Sequence, residues 1–178
     1  DQNITDDRKV MGLGDFTGNG TTELYIVKSR TDGRADGIGS NRADLFWKPD
    51  EIHADVITSI TNGHGLKTDI TYKLMTDSSV YTKGSGASYP VQDQTGAGYV
   101  VAEVKADNSV GEQNTQSYHY YHMRAHVNGL GSLGFEKMTV TDEATGIVTE
   151  SSYSQDWAKH HQGLLTRERT IAPSGVVM

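Results

Sequence analysis

The sequence predicts an all-β protein. Short strand-like runs recur with turn signals at roughly 8–12-residue spacing, and no segment sustains a helical period. Composition agrees: of 178 residues only 35% are hydrophobic, 20 are glycine and 3 are proline. That mixture suits short strands and tight turns, and it argues against a Pro-rich linker. The length allows one domain, or two small ones with real hydrophobic cores.

Taken in order, residues 1–9 are polar and carry no periodic signal. Val10 to Gly14 leads into an acidic loop that opens at Asp15, and Glu23 to Lys28 leaves it as a strand. A Gly/Asp-rich connection follows, then a short strand at Leu45-Phe46-Trp47. The segment from Asp15 to Tyr25 overlays Asp36 to Phe46 without gaps at an offset of 21 residues. Both copies read acid, x, x, Gly, four variable positions, acid, Leu, aromatic, an internal repeat in miniature.

The pattern changes after Pro49, which divides the chain into an expected 1–50 region and a 51–178 region. Val56 to Thr61, the turn Asn62-Gly63-His64-Gly65 and Lys67 to Tyr72 predict a hairpin. Asn-Gly is a strong turn signal, and Leu66, Thr68, Ile70 and Tyr72 alternate with polar residues. Residues 76–98, rich in Ser, Gly and Tyr, read as an irregular surface loop. Strands are predicted at Tyr99 to Val104 and Thr115 to His122, separated by a turn from Asp107 to Gly111. A second hairpin is predicted from Gly134 to Asp142 and Ile147 to Tyr153, and a last strand at 164–171 precedes a turn at Pro173.

The acidic loop carries the clearest chemistry. Calcium takes six to eight hard oxygen ligands in a flexible shell. Asp15, Thr17 and Asn19 offer oxygens at alternate positions, Thr21 a main-chain carbonyl, and Glu23 a closing carboxylate. Gly18 and Gly20 permit the sharp turn. The last acid comes at position nine of the loop, and strands flank it, so this is no EF-hand. The neutral Thr17 and Asn19 point to a weak structural site suited to extracellular calcium. The competing reading is an Asx-type turn without metal. The second copy supplies a weaker metal candidate at Asp36, Ser40 and Asp44, because Ile38 stands where a ligand belongs.

Several function classes are disfavoured. The net charge is −7 and the basic residues are scattered, so no nucleic-acid partner is expected. Cysteine is absent, which removes thiol chemistry, disulfides and thiolate zinc sites. No run approaches the roughly 18 apolar residues of a membrane helix. Nucleophile-elbow, Walker and zincin patterns are missing. Gly129 to Gly134 matches a dinucleotide fingerprint in spacing, but a β-pattern follows where a helix should open. The seven histidines, His53, His64, His119, His122, His126, His160 and His161, read as polar residues on sheet faces, with His119 and His122 on opposite ones. The tyrosines at 118, 120, 121 and 153 read as cross-strand packing pairs. The expectation is a non-enzyme.

Two blocks carry a family resemblance. Gly14 to Val27 resembles the FG-GAP or VCBS repeat, a propeller-blade unit with a calcium loop between strands. Ile57 to Gly63, Thr68 to Tyr72, Leu74 to Thr82, Tyr118 to Tyr121, Gly131 to Phe135 and Thr139 to Thr149 resemble SpvB/Rhs-type proteins. That group includes the B components of insecticidal Tc toxin complexes. The resemblance implies the end of a propeller at 1–50 and the start of an antiparallel Rhs-type shell at 51–178. In that family YD repeats build a β-shell around a C-terminal effector. This chain lacks a complete YD series and an effector, and its loop is poorer in Asp than the family's.

The expected function is therefore a non-catalytic structural module of a secreted bacterial toxin, stabilised by structural Ca2+. Its expected partners are the rest of a larger toxin polypeptide or toxin-complex subunits. With Asp at its start and no signal peptide, the chain reads as a fragment or processed product. The alternative is an extracellular calcium-stabilised adhesion module. Unpaired strand edges predict homo-oligomers in either case.

Overall fold

In the computed structural model, the described residues are 8–14, 23–29, 41–47, 56–96, 98–108 and 110–178. They form strands and turns, with no helix among them, so the fold is all-β as predicted. The chain falls into two compact units, Asp1–Asp55 and Val56–Met178.

In the first unit, β1 (Arg8–Gly14), β2 (Glu23–Ser29) and β3 (Asn41–Trp47) form an antiparallel sheet in that order. Gly14 stands opposite Glu23 at the end of the β1–β2 pairing. Register slips occur between Val10 and Gly12 and between Leu24 and Tyr25, and such bulges increase local twist. The matching ends of the two repeat copies lie on adjacent antiparallel strands, with Tyr25 opposite Leu45.

The second unit opens with the predicted hairpin, β4 (Ser59–Thr61) and β5 (Lys67–Leu74), paired Ser59 to Asp69. Asn62 rather than the Asn-Gly dipeptide organises the turn. Its Oδ1 accepts from the N–H groups of His64 at 2.9 Å and Leu66 at 3.0 Å. The left-handed residue is Gly65, at φ +81°, where a side chain would be strained. Along β5, Thr68, Ile70 and Tyr72 are half-buried and Lys67, Thr71 and Lys73 exposed, as the alternation predicts, but Asp69 is half-buried as well.

The 76–98 stretch corrects the expectation of a surface loop. It holds β6 (Tyr81–Thr82) and β7 (Val91–Asp93), and Val80 and Tyr81 are each 4% exposed. Two large residues in a run of Ser, Thr and Gly make no detectable period, yet they fill the core. β8 (Tyr99–Asp107) and β9 (Gln113–Tyr121) follow as a hairpin. Beyond Ser117 the edge of β9 is taken over by β6, which runs parallel and pairs Tyr81 with Tyr120. The junction forms a core of Met75, Val80, Tyr81 and Ala102. Val100, Tyr120, Met123 and Phe135 pack around it. The Phe135 ring lies 4.9 Å from Tyr120 and 6.2 Å from Tyr81, centroid to centroid, while Tyr121 lies 4.6 Å from the His119 ring, so Tyr120 and Tyr121 pack against Phe and His rather than against other tyrosines. Burial pushes the Tyr120 hydroxyl up to about 12, with Tyr118 adding to it.

β10 (Arg124–His126) and β11 (Gly131–Gly134) join β7 in a small sheet of order β11-β10-β7. The second predicted hairpin is β12 (Lys137–Asp142) and β13 (Val148–Tyr153). It begins at Lys137 because Gly134 already belongs to the small sheet. β14 (Leu165–Ile171) pairs with β13. The large sheet runs β14-β13-β12-β9-β8-β5-β4, with β6 alongside β9. Register puts Ile70, Val104, Tyr118 and Val140 on one face, and Thr71, Glu103, Ser117 and Thr141 on the other.

Candidate functional site

Of the calcium candidates, Asp15, Thr17, Asn19 and Thr21 lie outside the described residues, as do Asp36 and Ser40. Asp44 lies in β3. Glu23 heads β2 and is fully buried. A carboxylate at that depth requires donors or a cation around it. Among the described residues, no cluster of three or more His, Cys, Asp or Glu could hold a metal.

The best-built polar constellation is in the second unit. Asp93, at the end of β7, accepts from the Ala87 N–H at 2.9 Å through Oδ2. Its Oδ1 accepts from Arg124 Nε at 3.0 Å. The Ala87 hydrogen bond first, and the Arg124 guanidinium after it, hold this carboxyl below the usual aspartate range. Arg124 Nη1 in turn donates to Gln155 Oε1 at 3.3 Å. Gln155 Nε2 donates to two carbonyls, of His122 and Gly134, at 2.8 Å each. One amide thus ties down the chain where it leaves β9 and where it leaves β11. Gly84 lies beneath: a Cβ there would stand 2.8 Å from Asp93 Oδ1 and 3.3 Å from His122 Cβ.

This frame supports a cleft of about 460 Å3 lined by residues 86–91, residues 155–157 and Arg124. Trp157 packs against His126 at 4.5 Å between ring centroids. Tyr89, followed by Pro90 across a cis peptide bond, exchanges hydrogen bonds with the Asn128 amide at 2.9 and 3.1 Å.

The histidines divide in a way their spacing does not reveal. His119 is on the polar sheet face, with Nδ1 3.1 Å from the Ser79 carbonyl and Nε2 2.9 Å from the Thr82 hydroxyl. The carbonyl can only accept, so Nδ1 carries the proton and Nε2 accepts from Thr82. His122 lies just past β9 in a left-handed conformation, φ +53°, and its Nδ1 meets Glu136 Oε2 at 2.8 Å. It is therefore not the opposite-face strand residue that spacing suggested. His126 is 7% exposed, and neither ring nitrogen has a protein hydrogen-bond partner. Only its place in an apolar-flanked three-residue strand could have flagged it.

A second cleft, of about 430 Å3, lies on the polar face and is lined by Lys73, Glu103, Ser117 and His119 among others. Lys73 donates to the Ser79 hydroxyl at 2.8 Å, and the Ser117 hydroxyl donates to Glu143. These bonds, like those of His119, fasten the 75–82 segment and the β12–β13 turn to the sheet. Further along, Lys137, Glu150 and Arg169 form a cross-strand ladder on β12, β13 and β14. Arg169 Nε lies 2.7 Å from Glu150 Oε1 and Lys137 Nζ 3.2 Å from Oε2. Lys137 also sits 4.1 Å over the Tyr121 ring, within cation–π range. Burial pushes the Glu150 carboxyl up, but hydrogen bonds from Arg169 and Lys137 outweigh it and hold the group below its ordinary 4.5.

Compared with known proteins, residues 5–161 match the family model described as the insecticide toxin TcdB middle/N-terminal region. No curated protein matches the chain, and no solved structure matches it. The family match spans most of the sequence, including the β9 to β13 hairpins and the Asp93–Arg124–Gln155 frame. The chain belongs to the insecticide toxin TcdB middle/N-terminal region family.

Proposed function

We propose that this chain is a non-catalytic structural module of a secreted bacterial toxin, supplying β-sheet to a Rhs-like shell that encloses an effector. The observation that carries the reading is the coincidence of the toxin-family match over residues 5–161 with a multi-stranded antiparallel sheet in Val56–Met178. Its hydrogen bonds fasten loops to strands, as a scaffold requires. The first unit is read as the end of an FG-GAP/VCBS propeller region. There Asp15, Thr17, Asn19, Thr21 and Glu23 would hold a structural Ca2+, and full burial of Glu23 supports a closing ligand at that position.

The test is protease protection of the effector in the intact toxin. Leu133, 2% exposed, is replaced by Asp to break the second unit without touching any loop. The reading expects the effector to become cleavable and assembly with the other toxin subunits to fail. Full protection and normal assembly in the variant would contradict it.

The alternative reading is a calcium-stabilised extracellular adhesion module that assembles through strand edges. It draws on the Ser/Gly/Tyr-rich 76–98 stretch, a composition shared with adaptable binding surfaces. A glycan and cell-binding screen separates the two: no binding at high-micromolar concentration would count against adhesion, whereas strand-edge oligomers of the isolated chain are expected under either reading.

A further inference from the structure

We propose that the cleft between residues 86–91 and 155–157 binds a neutral saccharide, with the rings of Trp157 and Tyr89 as its platforms. This goes beyond the scaffold role and does not depend on it. The cleft's volume of about 460 Å3 falls in the range of small-molecule sites. Two aromatic side chains flank it, and each is held from behind. Trp157 packs at a tilt of 55° against His126, and Tyr89, 79% exposed, is held through its hydroxyl by Asn128. An exposed aromatic ring whose rotamer is locked offers contact area at low entropic cost.

The remaining lining decides the ligand's chemistry. Arg124 and Asp156 face the cleft, but their charges are cancelled locally. Arg124 pairs with Asp93 at 3.0 Å and Asp156 with Lys159 at 3.2 Å. A charged ligand would find no uncompensated partner. A purely apolar one would strip water from Ser88, Gln155 and these two ions without replacing it, which is costly. A polyhydroxylated ring answers both demands. Its C–H face lies on an aromatic ring, and its hydroxyls, which both donate and accept, can accept from Arg124, donate to Asp156 and exchange with the Ser88 hydroxyl.

His126 stands behind the cleft wall and bears on the site through Trp157. It is 7% exposed, neither ring nitrogen has a protein partner, and it touches Trp157. Buried polar atoms left alone are rare and mark places where packing is not the whole purpose of a residue. A phenylalanine would support the Trp157 ring without that cost.

The experiment uses the full chain in a Trp47→Phe background, so that Trp157 is the remaining tryptophan of the two. Its emission is titrated with glucose, galactose, mannose, N-acetylglucosamine and their disaccharides, each to about 50 mM. At least one sugar should shift the emission with a Kd of about 1 mM. Tyr89→Ala, at an exposed position, should weaken that binding about tenfold and leave the melting curve unchanged. Saturation-transfer NMR on Trp157→Phe and Trp157→Ala should show binding retained in the first and lost in the second. The proposal is overturned if no sugar shifts the emission. It is equally overturned if Tyr89→Ala binds as well as its parent, or if a proline-rich peptide binds the cleft where sugars do not.

Discussion

Replacing Tyr81 by phenylalanine removes a single oxygen from the centre of the second unit. That hydroxyl donates to the Gln94 carbonyl at 2.6 Å and accepts from the Met123 N–H at 3.1 Å. It thereby fastens the 76–98 stretch to the chain between β9 and β10. The ring stays, so its edge contact with Phe135 and its apolar burial are retained. The loss is two hydrogen bonds plus two backbone groups left without a partner. At about 1 kcal/mol per net hydrogen bond, with a further penalty for stranded groups, the cost is about 2–3 kcal/mol. In urea, with a slope of about 1.5 kcal/mol/M, the midpoint should fall by about 1.3–2 M. Emission of Trp157 follows the transition, since it belongs to the same unit. Tyr89→Phe is the control, at a side chain 79% exposed, and should move stability by less than about 0.5 kcal/mol. A Tyr81→Phe effect as small as the control's would refute the claim that this hydroxyl holds the segment down.

Other outcomes follow from the same geometry. Glu150 is held below its ordinary 4.5, so its stabilisation is complete above the unfolded value and is lost as pH falls through the folded one. Acid unfolding followed by circular dichroism should therefore be shallower below pH 4.5 in Glu150→Gln than in the parent. Gly84→Ala forces a Cβ to 2.8 Å from Asp93 Oδ1, and should destabilise the unit by about 1–3 kcal/mol. Amide exchange at Ala87, the donor to Asp93, should rise with it. Calcium at about 100 times its Kd should stabilise the chain by about 2.7 kcal/mol, read as a higher melting temperature, and Asp15→Ala should abolish the shift. No calcium shift in the parent would return the loop to an Asx-type turn.

Strand positions were legible in the sequence wherever two faces differ in polarity. Thr68, Ile70 and Tyr72 alternate with polar residues in β5, with Asp69 half-buried out of step, and Asn62 marks the turn, although Gly65 rather than Gly63 takes the left-handed conformation. The 76–98 stretch was not legible, because Val80 and Tyr81 are two apolar residues in a polar run and their burial depends on β9, about forty residues away. The same separation hides the cleft. Asp93, Arg124 and Gln155 carry no motif spacing: the small sheet pairs Asp93 with Arg124, and Gln155 reaches them from the chain after β13. His126 failed for a simpler reason: alternation assigns a histidine to a face but cannot say which face another element covers. The acidic loop was the plainest sequence signal, and of its candidate ligands only Glu23 lies among the described residues.

Electron cryomicroscopy of the intact toxin carrying this chain tests the structural role most directly. The scaffold reading predicts that the sheet from β4 to β14 is one stretch of a continuous β-shell, with a neighbouring strand hydrogen-bonded along the outer edge of β14. A Val56–Met178 unit standing free on linkers, with that edge open to solvent and the effector enclosed without it, would contradict the reading.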